Sequence, residues 1–162
     1  QIKLYEELME AGKEFNIKPF GSRALMSMRL EKNWGAWTLD YRPDFSAKET
    51  GLDSFINWEK DFIGKENAQK EISSNKLTPL IVETNDIDVT NNEAVMNGDQ
   101  SIGYVTSGGF AHFVNKSVAL TFIDQNQIKS ENKIQIEING DLFNCSIIKE
   151  PLYDPSGAKM RS

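Results

Sequence analysis

The segment IQIEINGDLFNCSI, residues 134–147, alternates apolar and polar side chains on either side of Asn139-Gly140. A period of two places Ile134, Ile136 and Ile138 on one face of an extended strand, with Gln135 and Glu137 on the other. Beyond the turn, Phe143, Cys145 and Ile147 repeat the pattern against Asn144 and Ser146. Asn-Gly between two such runs is a strong hairpin signal, because both residues tolerate the positive φ of a tight turn. The segment therefore predicts two antiparallel strands, with Cys145 in the core.

The same regime extends upstream. Leu80–Glu83 and Val118–Ile123 read as strands, and Ala94–Met96 with Ile102–Val105 flank Asn97-Gly98-Asp99 as a second hairpin. Five or six short strands with no helices between them predict a small antiparallel barrel or sandwich. The period-two pattern starts at Leu77, after the linker-like Ser73-Ser74-Asn75-Lys76. A boundary is expected near Asn75, dividing a mixed α/β region (residues 1–75) from an all-β domain (residues 76–162). The chain is thus α+β in class.

Before that boundary the periodicity is helical. Leu4, Leu8, Ala11 and Phe15 share one face of a helix over 2–15, opposite a largely acidic side, and Asn16 and Pro19 end it. Ser22 is expected to cap a second helix running to about Lys32 and burying Ala24, Leu25 and Met28. Gly35 breaks it, and Thr38–Arg42 reads as a short extended piece. Leu52, Phe55, Ile56 and Trp58 are crowded enough to predict a largely buried strand over Ser54–Trp58. A third helix is expected from Lys65 to Ile72, with Glu66 and Lys70 paired four residues apart.

Composition narrows the function classes. The 162 residues are 39% hydrophobic and 26% charged, the balance of a soluble globular protein. A net charge of −6 with no basic run argues against a nucleic-acid partner. No apolar run is long enough to span a membrane, and no signal peptide opens the chain. The single cysteine excludes an internal disulfide and suits a reducing compartment. The chain opens on Gln-Ile-Lys, inside a helical pattern and without Met, so a fragment of a longer polypeptide is expected. Apolar surface left where further residues would dock makes self-association of such a fragment an expectation.

Chemistry-bearing residues concentrate between Gly21 and Ala68, which hold all three tryptophans, four glycines and Arg23, Arg29 and Arg42. Trp supplies a stacking plane and Arg a planar cation, the usual means of holding a flat charged ligand. Trp34 and Trp37 are the candidate ligand-facing rings, with core packing the competing reading. Arg23 and Arg29 are six apart and do not share a helix face. For Arg29-Leu30-Glu31 the plainer expectation is a local ion pair with Lys32 or Lys60. Thr106-Ser107-Gly108-Gly109 reads as a tight barrel loop, since neither a Walker lysine nor a helix follows. Asp86 and Asp88, with Glu83 and Glu93, read as a solvated acidic connection, and His112 as a loop histidine near a barrel edge. These residues present no nucleophile, general base or metal set.

Four motifs in order carry a family resemblance over nearly the whole chain. Gly21 to Glu31, ending Arg29-Leu-Glu31, resembles the helix of the glycine-cleavage T-protein (aminomethyltransferase) superfamily. Glu49-Thr-Gly-Leu52, Asp61-Phe-Ile-Gly-Lys65 and Gly103-Tyr-Val-Thr-Ser-Gly-Gly109 resemble its Glu-Ala-Gly-Leu element, its Asp-Phe-Ile-Gly-Arg turn and the signature of its C-terminal barrel. Asp154-Pro155 with Arg161 resembles its closing segment. The Trp34 and Trp37 pair and the doubled Gly108-Gly109 are most similar to the folate-binding half of dimethylglycine and sarcosine dehydrogenases. The resemblance implies the end of the central α/β region followed by the C-terminal β-barrel.

It also implies tetrahydrofolate as cofactor, capturing a one-carbon unit as 5,10-methylenetetrahydrofolate, with FAD expected only in a separate N-terminal half. That half of the same polypeptide would be the partner, in the cytoplasm or, in a eukaryote, the mitochondrial matrix. Trp34 stands where the family presents an aromatic to the folate. Leu25 stands where it carries an arginine, leaving Arg23 or Arg29 as candidate replacements and Trp37 as a second ring. The family's aspartate near the reacting folate nitrogen, and its Tyr and Glu at the pterin edge, fall upstream of Gln1. No residue here is therefore expected to be catalytic. A stand-alone aminomethyltransferase, another folate-dependent demethylase, and a non-catalytic folate-binding or assembly protein are the alternatives.

Overall fold

The computed structural model describes residues 1–161. Six antiparallel strands close into a barrel: β1 (Asn75–Val82), β2 (Ala94–Asn97), β3 (Gln100–Ala111), β4 (Lys116–Asp124), β5 (Ile134–Ile138) and β6 (Asp141–Ile147). Around the barrel the order is β1-β4-β3-β2-β5-β6, and Leu80–Val82 of β1 pairs with Cys145–Ile147 of β6 to close it. Both expected hairpins are present. Asn139 and Gly140 take φ of 53° and 91° between β5 and β6, and Gly98 takes 67° between β2 and β3.

Strand alternation sorts the apolar side chains into two layers. Leu80, Val82, Val95, Val105, Ala119, Ile123, Ile136 and Ile138 form the barrel interior, joined by the partly buried Phe143 and Cys145. Val118, Leu120, Ala111 and Ile148 face outward and are covered by Leu30. Phe122, on the same outer face of β4, stacks on Phe45 with ring centroids 4.0 Å apart. One wall of the barrel, β3 and β4, thus carries the polypeptide that precedes it.

Four helices come before the barrel: α1 (Ile2–Ala11), α2 (Ser22–Glu31), α3 (Ala47–Thr50) and α4 (Lys65–Lys70). α1 stops at Ala11 and continues as a short 3-10 turn over Lys13–Phe15, closed by Asn16 in the left-handed conformation. Leu4, Leu8 and Phe15 are all exposed, so the apolar stripe read from the sequence covers nothing among the described residues. α2 is capped by Gly21 without a side-chain bond, and Ser22 is its first helical residue. It buries Arg29, Leu30 and Glu31 rather than Ala24, Leu25 and Met28, because its C-terminal part meets the barrel wall, with Ser27 Oγ donating to the Phe110 carbonyl of β3 at 2.6 Å.

The strand expected over Ser54–Trp58 is a 3-10 turn, Asp53–Phe55, followed by irregular chain. Phe55 is exposed and no strand lies alongside to accept its ladder bonds. Capping decides the local structure: Ser46 and Glu49 form a reciprocal capping box for α3, and Gly51 ends it in the left-handed conformation. α4 ends at Lys70, two residues short of the expected Ile72, which is exposed; its Glu66–Lys70 pair is present at 3.3 Å.

At Gly103 the β4 backbone leaves no room for a side chain on β3. A Cβ built there would lie 2.1 Å from the Phe122 carbonyl oxygen. Gly103→Ala is expected to cost about 3 kcal/mol by overpacking, read as a lower urea midpoint with the β-sheet spectrum retained. Burial pushes the Cys145 thiol up to about 12 from 9.0, and the nearby Glu83 carboxylate adds to the shift. Above pH 9.0 the unfolded state therefore releases a proton that the folded state keeps, and stability falls as pH rises toward about 12. Between about pH 8 and about pH 10 the expected loss is about 1.4 kcal/mol in total, and Cys145→Ala removes it; denaturation curves at the two pH values check it.

Candidate functional site

The last turn of α2 and the loop after it build the site. Trp34 N–H donates to the Arg29 carbonyl at 2.9 Å, and Asn33 takes φ of 52°, which turns the chain sharply off the helix. The loop then closes on itself. Ala36 O accepts from Asp40 N at 2.9 Å and Tyr41 N at 3.1 Å, and Thr38 N donates to Tyr41 O at 3.0 Å. Thr38 has φ of 70°, so the expected extended piece Thr38–Arg42 is a turn, joined only by a single bridge between Trp37 and Tyr41. Gly35 has no room for a side chain: a Cβ there would lie 2.6 Å from the Tyr41 ring. Its N–H donates to the Tyr41 hydroxyl at 3.0 Å. Burial raises the Tyr41 phenol above its ordinary value, partly offset by that bond, so Tyr41 stays neutral.

Beneath the loop lies a charge pair wholly inside the protein. Asp40 is 0% exposed and Arg29 8%. The Asp40 Oδ2 atom accepts from Arg29 Nη1 at 2.8 Å, Ala36 N at 2.7 Å and Ser107 Oγ at 2.9 Å. Its Oδ1 accepts from Thr106 Oγ1 at 2.5 Å. Arg29 in turn donates from Nη2 to Ser107 Oγ at 2.8 Å and from Nη1 to the Trp34 carbonyl at 3.2 Å.

Thr106 and Ser107 are consecutive residues that reach the same carboxylate, which a regular strand would forbid by turning them to opposite faces. The β3–β4 register shifts between Val105 and Ser107, and this bulge brings both hydroxyls to one side. Thr106-Ser107-Gly108-Gly109 is therefore not the tight loop expected from its glycines but the middle of β3. Long strands of a closed barrel accommodate glycines where another backbone approaches, and Gly108 lies against the Val89 carbonyl.

Above the pair sits an aromatic face. Trp34 meets Tyr41 edge-to-face at 6.1 Å and Phe55 at 6.2 Å, and Trp37 meets Tyr41 at 5.8 Å. Trp34 is 51% exposed and Trp37 78%. Both rings thus leave much of their surface open beside Tyr41, and an exposed aromatic ring can stack on a planar group.

The other sequence candidates separate. Arg29 is committed to Asp40, Ser107 and Trp34, and the local ion pair expected of Arg29-Leu30-Glu31 with Lys32 or Lys60 is not formed among the described residues. Glu31 instead accepts from Phe113 N at 2.6 Å, and Lys32 donates to the Asp154 carbonyl at 2.7 Å. Arg23 lies away from the tryptophans, in a surface cleft between α2 and β3 shared with Asp88, Gly108 and His112. His112 is exposed in the turn after β3, 5.1 Å from Phe110. Asp40, Tyr41, Thr106 and Ser107 were missed as site residues; only Leu39-Asp40-Tyr41, an acid between large apolar residues, hints at a buried charge in the sequence. Among the described residues no group of His, Cys, Asp and Glu could hold a metal ion, and no helix is long and apolar enough to cross a membrane.

Two family profiles match the chain in succession, the GCVT N-terminal domain over residues 1–60 and the glycine cleavage T-protein C-terminal barrel domain over residues 75–154. The mitochondrial dimethylglycine dehydrogenase of Mus musculus is 34% identical over 98% of this chain and 19% of its own length. An aminomethyltransferase of Pseudothermotoga lettingae is 30% identical over 93% of this chain and 42% of its own. The crystal structure of glycine cleavage system aminomethyltransferase T from Bartonella henselae superposes with a TM-score of 0.79 over 94% of this chain and 44% of that one, at 22% identity, which speaks for the fold. The chain thus spans about a fifth of the dehydrogenase and about two fifths of the aminomethyltransferases it matches. With the family's N-terminal and C-terminal barrel profiles matched in succession along it, the chain belongs to the glycine cleavage T-protein family.

Proposed function

We propose that the Trp34–Trp37 face is one wall of a tetrahydrofolate pocket in an enzyme that transfers one-carbon units, of the dimethylglycine or sarcosine dehydrogenase type. The observation that carries this reading is the pair of outward indoles fixed on a buried ionic base, in a chain 34% identical over 98% of its length to a dimethylglycine dehydrogenase. Planar exposed rings fit the pterin and aminobenzoyl planes of a folate, and the hydrogen-bonded turn that carries them reduces what binding has to order. When bound, tetrahydrofolate supplies the nucleophilic amines that take up formaldehyde as a methylene bridge, releasing water. The residues here hold and orient it, with Trp34 and Trp37 in contact and Arg29 supporting Trp34 from below. Positioning of this kind accounts for much of the rate when two reactants are brought together. Steering of the amine protons falls to groups outside these residues.

This reading divides the chain at Asn75, where β1 begins, into a folate-facing region and a supporting barrel. It assigns FAD and the N-methyl oxidation to another part of the same polypeptide, and in a eukaryote it fits a mitochondrial location. The similarity to the Pseudothermotoga lettingae aminomethyltransferase favours one other reading, a flavin-free aminomethyltransferase with the same folate wall. Tetrahydrofolate titrated into the protein at its natural length is expected to quench tryptophan emission saturably. Trp34→Leu is expected to weaken binding about tenfold, the loss of one aromatic contact. Unchanged affinity in that variant would remove Trp34 from the pocket. Flavin absorbance of the purified protein separates the dehydrogenase from the aminomethyltransferase.

A further inference from the structure

We propose that Asp40, Thr106 and Ser107 are positioning residues for the aromatic wall, so that a bulge in barrel strand β3 sets the affinity of a ligand face built on another part of the chain. The inference rests on reading Trp34 and Trp37 as that face. Each link is a contact already described. Thr106 and Ser107 anchor the Asp40 carboxylate, Asp40 and Ser107 orient the Arg29 guanidinium, and Arg29 holds the Trp34 carbonyl at 3.2 Å. Asp40 also accepts from Ala36 N at 2.7 Å, so both limbs of the loop, at 34 and at 36, answer to one pair of charges.

Fold stability alone does not call for this arrangement. A buried ion pair is often matched or bettered by apolar residues of equal volume, whereas a fully bonded polar network fixes one geometry. What the network fixes here is the root of an indole that is half exposed and meets Tyr41 and Phe55 edge-to-face. The bulge supports the same conclusion. It interrupts the ladder to β4 at Thr106, and in return places two neighbouring hydroxyls on the carboxylate that closes the loop, the Thr106 hydroxyl lying between Asp40 Oδ1 at 2.5 Å and the Leu120 carbonyl of β4 at 3.0 Å.

The test uses the protein at its natural length, labelled with 5-fluorotryptophan and observed by fluorine NMR, with Trp34→Phe assigning the Trp34 resonance and Trp58→Phe an internal reference. Thr106→Val removes a hydroxyl at nearly constant volume, Thr106→Ser keeps it, and Ser107→Ala removes the second. Without any ligand, Thr106→Val and Ser107→Ala are expected to shift or broaden the Trp34 resonance while Trp58 stays in place, and Thr106→Ser to match the parent. Both deletions are expected to weaken tetrahydrofolate binding about tenfold. An unmoved Trp34 resonance in both deletions overturns the proposal, and so does a disturbance that moves Trp58 equally. If tetrahydrofolate fails to perturb Trp34 in the parent protein, the folate reading falls, and the ligand-free spectra still decide the positioning role.

Discussion

A guanidinium and a carboxylate withdrawn from water each lose several kcal/mol of hydration, and their attraction restores it only when the remaining lone pairs and N–H groups are bonded as well. Arg29 and Asp40 meet that condition through Ala36, Trp34, Thr106 and Ser107. The consequence is architectural. The end of α2 with the loop at 34–41 that follows it, and the centre of β3 some way along the sequence, must arrive together or leave a charge stranded. Losing one partner of such a pair commonly costs about 3–5 kcal/mol, comparable to much of a domain's net stability. The pair therefore ties the folding of the loop to the completion of the barrel, although the loop takes little part in either apolar core.

The apolar contacts around it have a different character. Leu30 seals the outer layer, Phe45 stacks on Phe122, and Tyr153 meets Phe113 edge-to-face at 4.8 Å while its N–H donates to the Glu31 carbonyl at 3.0 Å. These contacts grip the β3–β4 wall from several sides and tolerate small shifts. The ionic network does not, because hydrogen bonds to charged groups weaken steeply with misalignment. Burial brings the segments to the wall, and the charges then choose one arrangement among those that burial would allow.

The barrel was legible because its signals are local. Ile134, Ile136 and Ile138 alternate with polar residues, and Asn139-Gly140 states its turn within two positions. The helices were legible in place but not in what they bury. Periodicity reports that Leu4, Leu8, Leu25 and Met28 share faces, but not whether any neighbour covers them, and here they are exposed. Leu52 to Trp58 misled for the same reason, since crowding of apolar residues was read as burial. At the candidate site the tryptophans stood out by chemistry alone. Asp40, Thr106 and Ser107 did not, because a buried charge pair is defined by partners up to 78 residues apart and leaves no spacing rule behind. Glycines at 108 and 109 looked like a loop, and only the closeness of the Val89 backbone shows why a strand would carry them.

Closure of the barrel has one more consequence. With β1 bonded to both β4 and β6, the sheet has no edge strand, and what stays unpaired on one side is a short stretch such as 75–78 of β1. Strand addition to the barrel is thereby confined to such stretches. Exposed large apolar side chains lie on the first helices and the tryptophan loop, and also at Phe113, Leu142, Ile147 and Met160 in the barrel half. What the molecule presents to another surface is thus side chains from both ends of the sequence rather than an open sheet edge.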